Sequence, residues 1–216
     1  MLQTMRLAVL ATSLGLCAAT LSAQGDPDRA VAGGGAMPAG WHARTDRDAP
    51  LDNVKFVKMG VGQHVTLGPA AIFWRDADTA SGSYTVEAKF WQFEEPRHRE
   101  GYGLFIGGSD LAGPGQRYSY FLIAGNGQFL VKRRTGESTT VVSGNWADNS
   151  AIVKTDSAGK AENTLAIRVA DGKASFRVNG TEVYTTDASA LDVKGIVGYR
   201  INHNLNVHLG PIAVTR

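Results

Sequence analysis

The stretch from Asn163 to Tyr184, NTLAIRVADGKASFRVNGTEVY, constrains this chain more than any other. Asp171-Gly172 and Asn179-Gly180 are dipeptides that supply the positive φ angles of type I′ turns, so the segment reads as two consecutive two-residue hairpins and three antiparallel strands. Counting outward from the first turn sets Val169 opposite Ala174, Ile167 opposite Phe176 and Leu165 opposite Val178, apolar against apolar in each case. Counting from the second turn puts Val183 opposite Phe176 and Glu182 opposite Arg177, the latter pair on the polar face. A meander with one apolar and one wet face must bury the first against a second layer, which predicts a sandwich or barrel.

The rest of the chain is punctuated in the same way. Val54 to Met59, Gln63 to Leu67 and Ala70 to Arg75 are short β-favouring runs separated by Gly60, Gly62, Gly68 and Pro69, which leaves no room for a helix. Ser83 to Phe93 is the longest alternating strand, with Tyr84, Val86, Ala88 and Phe90 on one side and Thr85, Glu87, Lys89 and Trp91 on the other. GYGLFIGG and RYSYFLIAG are nearly unbroken apolar runs, as central strands covered on both faces would be, and GQFLVKRR follows as a hairpin partner. Residues 136 to 162 read as edge strands and loops, Asp187 to Leu191 as a single helical turn, and KGIVGYRINHNLNVHLGPIAV as two closing strands. In the last of these Leu205, Val207 and Leu209 oppose Asn204, Asn206 and His208.

Domain organisation follows from the ends. Met1 to Ala23 has a basic start at Arg6, an apolar run from Leu7 to Leu16 and small residues up to Ala23, the pattern of a secretory signal peptide. Residues 24–40 are rich in Gly, Ala, Asp and Pro without apolar periodicity and read as a flexible tether. Residues 41–216 then form a single β-sandwich domain of a secreted or periplasmic protein, all-β with almost no helix after the signal peptide. The single cysteine, Cys17, lies in the leader, so disulfides and thiolate chemistry are excluded from the mature chain. The formal net charge is +2, one unit of it Arg6, too small for a nucleic-acid footprint, and no second apolar run could serve as a membrane span.

Three blocks carry a resemblance: SGSYTVEAKF, the NTLAIRV…FRVNGTEVY meander, and the terminal GIVGYR…LGPIAV. Together they resemble the concanavalin A-like, laminin G-like superfamily, most closely its secreted bacterial domains of the 3-keto-disaccharide hydrolase type. The resemblance implies a two-sheet antiparallel jelly-roll sandwich with carbohydrate, an oligo- or polysaccharide, as ligand. Laminarinase-type enzymes of this superfamily carry a Glu-x-Asp-x-x-Glu strand. Here Glu87 is followed by Ala88 and Lys89, so their paired-carboxylate hydrolysis is not supported.

No histidine pair has metal-ligand spacing, and His203 and His208 differ in strand parity. Ca2+ stays open, because oxygen ligands in loops, such as Asp110, Asp148 and Asn149, leave no signature outside an EF-hand-like loop. The functional signal is distributed: Glu87 and Trp91 on one strand, Tyr118 and Tyr120 on another, Arg133 with Arg134, then Asn204, Asn206 and His208. Planar rings cover the C–H face of a pyranose while amides, guanidinium and carboxylate groups bond its hydroxyls, so this mixture suits a sugar on the polar face of one sheet. A noncatalytic glycan-recognising sandwich accounts for it. Two alternatives stay open: an enzyme acting on a glycoside or keto-sugar, with Glu87, His98 or His208 as acid-base groups, and an extracellular structural or protein-binding sandwich.

Overall fold

The structure is a computed structural model describing residues 26–216; the expected signal peptide and Cys17 lie outside these residues. In chain order the strands are β1 (His42–Thr45), β2 (Val54–Met59), β3 (Gly62–Leu67), β4 (Ala71–Ala80), β5 (Tyr84–Gln92), β6 (Gly101–Ser109), β7 (Arg117–Ala124) and β8 (Gln128–Thr135). They continue as β9 (Ser138–Val141), β10 (Ala147–Asp148), β11 (Ala161–Ala170), β12 (Lys173–Val178), β13 (Thr181–Asp187), β14 (Gly195–Ile201), β15 (Asn206–Leu209) and β16 (Ala213–Thr215). Short 3-10 turns at Asp46–Asp48, Leu51–Asn53 and Ala188–Ala190 are the helical content of the described residues.

These strands make two antiparallel sheets. One runs β1-β4-β14-β6-β7-β8-β10, with β9 also alongside β8; the other runs β13-β12-β11-β5-β15-β3-β2, with β16 also alongside β5. Between them lies one core, to which Phe73, Tyr102, Leu104, Phe121 and Tyr199 contribute from the first sheet and Val65, Phe90, Leu165, Ile167 and Phe176 from the second. The alternation in β5 is obeyed: Tyr84, Val86, Ala88 and Phe90 are buried. So is that of β15, where Val207 and Leu209 point inward.

The meander keeps its predicted first register, with Leu165, Ile167 and Val169 opposite Val178, Phe176 and Ala174. Asp171, Gly172, Asn179 and Gly180 all have positive φ, as type I′ turns require. The second hairpin departs by one residue. Arg177 faces Glu182 as expected, but a bulge between Phe176 and Arg177 puts Tyr184, not Val183, opposite Phe176. An extra residue on one strand is what a bulge absorbs, and turn counting cannot foresee it. The closing segment likewise yields three strands rather than two.

Residues 26–40 carry no strand or helix, but they are fastened rather than free. The Arg29 amide donates to Asn204 Oδ1 at 2.7 Å, the Arg29 guanidinium donates to Glu94 at 2.8 Å, and the Val31 amide donates to Asn53 Oδ1 at 2.6 Å. Side-chain amides thus pin a segment whose composition alone reads as a tether.

Candidate functional site: a cleft on the outward face of one sheet

The expected site residues do not share a sheet. Glu87 and Trp91 lie on β5, with Asn206 and His208 on the neighbouring β15, whereas Tyr118 and Tyr120 lie on β7 and Arg133 on β8, in the other sheet. Parity tells which side chains point outward but not from which sheet. Because the chain crosses the sandwich between β5 and β6, the outward faces of β5 and β7 look in opposite directions.

On the β5 face some side chains answer one another, while His64 Nδ1, His208 Nδ1 and Asn206 Oδ1 are buried without a partner. Glu162, Trp91, His208, His64 and Val57 form a row in register across five strands. The Trp91 indole N–H donates to Glu162 at 2.7 Å, the Lys89 ammonium sits 5.1 Å from the Trp91 ring, and His208 lies 5.2 Å from it. Glu87 is exposed between Ala166 and Ala213, and Asn204 holds the amino-terminal segment by accepting from Arg29 and donating to Asp26 and Pro27. Of the proposed calcium ligands, Asp110 caps its own loop by accepting from the Gly115 amide, while Asp148 and Asn149 sit elsewhere. Among the described residues no group of three or more His, Cys, Asp and Glu could hold a metal.

The other outward face differs. Arg44, Ile72, Arg200, Gly103, Leu122 and Leu130 lie in register across β1, β4, β14, β6, β7 and β8, and Phe105, Tyr120 and Lys132 form part of the next row. At Gly101 a Cβ would run into Trp146 and crowd Leu122, so glycine there keeps this part of the face open. At Gly198 a Cβ would overlap the Phe105 ring, so glycine there lets two strands carry large neighbours. The result is a cleft of about 740 Å³, walled by the Asp46–Asp48 turn, by Arg99 and Glu100 ahead of β6, and by Trp146. A smaller hollow of about 370 Å³ adjoins it and shares Asp46, Glu100, Arg200 and Asn202.

The floor is organised around Asp46. Arg200, only 5% exposed, donates to both its carboxylate oxygens at 2.8 and 2.7 Å, and Arg134 approaches at 3.3 Å. A guanidinium this buried needs such a fork-on-fork partner, since its desolvation costs several kcal/mol. Burial pushes the Asp46 carboxyl up, but Arg200, Arg134 and Arg47 outweigh it and hold the group below its ordinary value. The turn that presents Asp46 has left-handed backbone at two non-glycine residues, Arg47 and Asp48.

Tyr118 and Tyr120 are present here, but not as open platforms. Arg134 covers Tyr118 at 5.9 Å, Arg200 covers Tyr120 at 5.7 Å, and both rings join a minor core with Ile72, Trp74, Phe105, Leu111 and Leu122. Burial pushes the Tyr120 hydroxyl up to about 12. Arg133 points away from this face and is held by Asp192 at 2.7 and 3.0 Å; Arg134, one residue on, is the one of the two that lines the cleft. Sequence reasoning missed Asp46, Lys132, Trp146, Arg200 and Glu100. Glu100 is pushed above its ordinary value by burial, against the opposing effect of His203, whose Nε2 lies 2.6 Å from it. Only the pairing of β6 with β14, which brings residues 100 and 203 together, could have revealed that contact.

Among solved structures, the carbohydrate-binding module CBM66 from Bacillus subtilis matches with a TM-score of 0.60 at 9% identity, covering 82% of this chain and 96% of that one. A glycoside hydrolase family 16 endo-glucanase from Bacteroides ovatus matches at 0.55 and 9%, covering 81% and 94%. The fold is the concanavalin A-like jelly roll. A Bacillus licheniformis beta-glucanase shares this jelly roll at a TM-score of 0.54 and 10% identity, covering 84% and 94%. No family model matches the chain, and no curated protein does. At these identities the likeness establishes the jelly roll and not an activity. No helix among the described residues is long and apolar enough to cross a membrane.

Proposed function

We propose that this is an exported, noncatalytic carbohydrate-binding jelly roll whose ligand lies in the cleft over β14, β6, β7 and β8. The observation that carries the reading is the cleft itself: about 740 Å³, with Trp146 at its edge and hydrogen-bonding side chains along its floor, none of which must titrate to bind a hydroxyl. The Arg99 guanidinium lies over the Trp146 ring, 5.1 Å from its centroid, covering one face of the ring and placing a donor at the edge of the cleft. A carbohydrate-binding module and glucanases with the same fold support this reading.

Binding is favoured over turnover by the state of Asp46. Glycoside hydrolysis uses one protonated carboxyl and one carboxylate free to attack or to activate water, and Asp46 is committed to two arginines. A second reading, an enzyme acting on a glycoside or keto-sugar, is favoured by Glu100, whose raised pKa suits an acid. Glycan-array binding combined with a product assay separates the two. Binding without product, lost in Trp146→Ala, supports the proposal. Product formation lost in Glu100→Gln supports the enzyme, and silence in both assays leaves a protein-binding or structural sandwich.

A further inference from the structure

The charges of the cleft are not balanced. Six basic side chains line it against four acidic ones, and the acidic ones are largely answered already. Asp46 faces Arg200 and Arg134, Glu100 touches His203, and Asp48 lies 4.0 Å from Arg44, while the fourth, Glu137, is exposed in the β8–β9 turn. Lys132 is different. It is half-buried on the outward face of β8, opposite Tyr120 and two residues from Arg134, and among the described residues no hydrogen bond or ion pair reaches its ammonium group. Burial first, then the charges of Arg200 and Arg134, hold it below the ordinary lysine value, with only Asp46 opposing them. Like charges gathered in a half-enclosed site focus a positive potential on whatever enters.

We infer that the sugar bound in this cleft is acidic, with its carboxylate or sulfate group seated against Lys132. The inference rests on the binding reading above and narrows it to a ligand class. A neutral sugar would leave the ammonium group crowded by two guanidinium groups and unanswered. An anionic substituent would supply the missing charge-assisted hydrogen bond and relieve that repulsion. Arg200 and Arg134 are committed to Asp46 and held over tyrosine rings, and Arg47 stands exposed at the rim, so Lys132 is the half-buried cation of the floor that no carboxylate holds.

Titration calorimetry on the full mature chain tests this with three probes of equal length: a neutral gluco-oligosaccharide, an oligogalacturonate and a sulfated galactan oligosaccharide. One acidic probe should bind at least about tenfold tighter than the neutral one, the worth of one charged hydrogen bond. The carboxylate and sulfate arms tell which group is read. The advantage should shrink between about 0.05 and about 0.5 M salt and vanish in Lys132→Gln, whose fold is checked by circular dichroism. If the neutral probe binds as tightly, or the advantage survives Lys132→Gln, the inference is overturned and the cleft reading stands. If no probe binds, both fall.

Discussion

Asp46 and Arg200, 154 residues apart in the chain, meet through two hydrogen bonds of 2.8 and 2.7 Å across the floor of the cleft. Removing only the anion strands a buried cation. Asp46→Asn should therefore destabilise the fold by about 3 kcal/mol, while the double variant Asp46→Asn/Arg200→Met should recover much of that loss. Chemical denaturation checks both. Equal stability of the wild type and Asp46→Asn would show that the pair holds nothing together.

Phe176 is 1% exposed, faces Ile167 and Tyr184 across its two neighbouring strands, and lies 5.3 Å from Phe121 of the opposite sheet. Phe176→Ala should cost about 3 to 5 kcal/mol through lost burial and a cavity between the sheets. Urea unfolding that reports less than about 1 kcal/mol would contradict this placement.

Gly172 has a φ of 72° in the turn that sets the meander. A β-branched side chain there is strained, so Gly172→Val should lower stability by about 1 to 3 kcal/mol, whereas the exposed strand position Lys173 should accept threonine. Matching melting temperatures for the two variants would argue against the type I′ geometry.

His64 and His208 lie 6.2 Å apart on the β5 face. Burial first, then the neighbouring His208 and Lys55, holds His64 below its ordinary value, and burial does the same to His208. The unfolded chain thus takes up these protons more readily than the native one. Stability contributed above the ordinary value near 6.5 should be lost as pH falls through and below it. A melting temperature that declines between about pH 7.5 and about pH 5, with a shallower decline in His64→Gln/His208→Asn, is the expected outcome. Parallel slopes in the two proteins would remove the histidines from the account.

Much of the fold was legible in the sequence because its signals are local. The Asp171-Gly172 turn states a register, and the alternation in β5 and β15 states a buried face. The bulge at Phe176/Arg177 was not legible, since it depends on how β13 packs and not on turn residues. The site was read less well for a related reason. Outward parity holds for Trp91 and Tyr120 alike, but the sheet each belongs to is decided by where the chain crosses the sandwich. Asp46 sits in a turn with no sequence motif, and its value lies wholly in Arg200 and Arg134, contributed by strands far along the chain. Arg133 and Arg134 are chemically identical in sequence, and only the parity of β8 sends one to Asp192 and the other to the cleft.

The most direct test of the central claim is the map of backbone amide shifts as a bound oligosaccharide is titrated into the labelled protein. Changes should concentrate on β6, β7, β8 and β14 and around Trp146, with Trp91 and its neighbours on β5 and β15 unmoved. Changes centred on Trp91, His208 and Asn206 would place the ligand on the opposite face and contradict it.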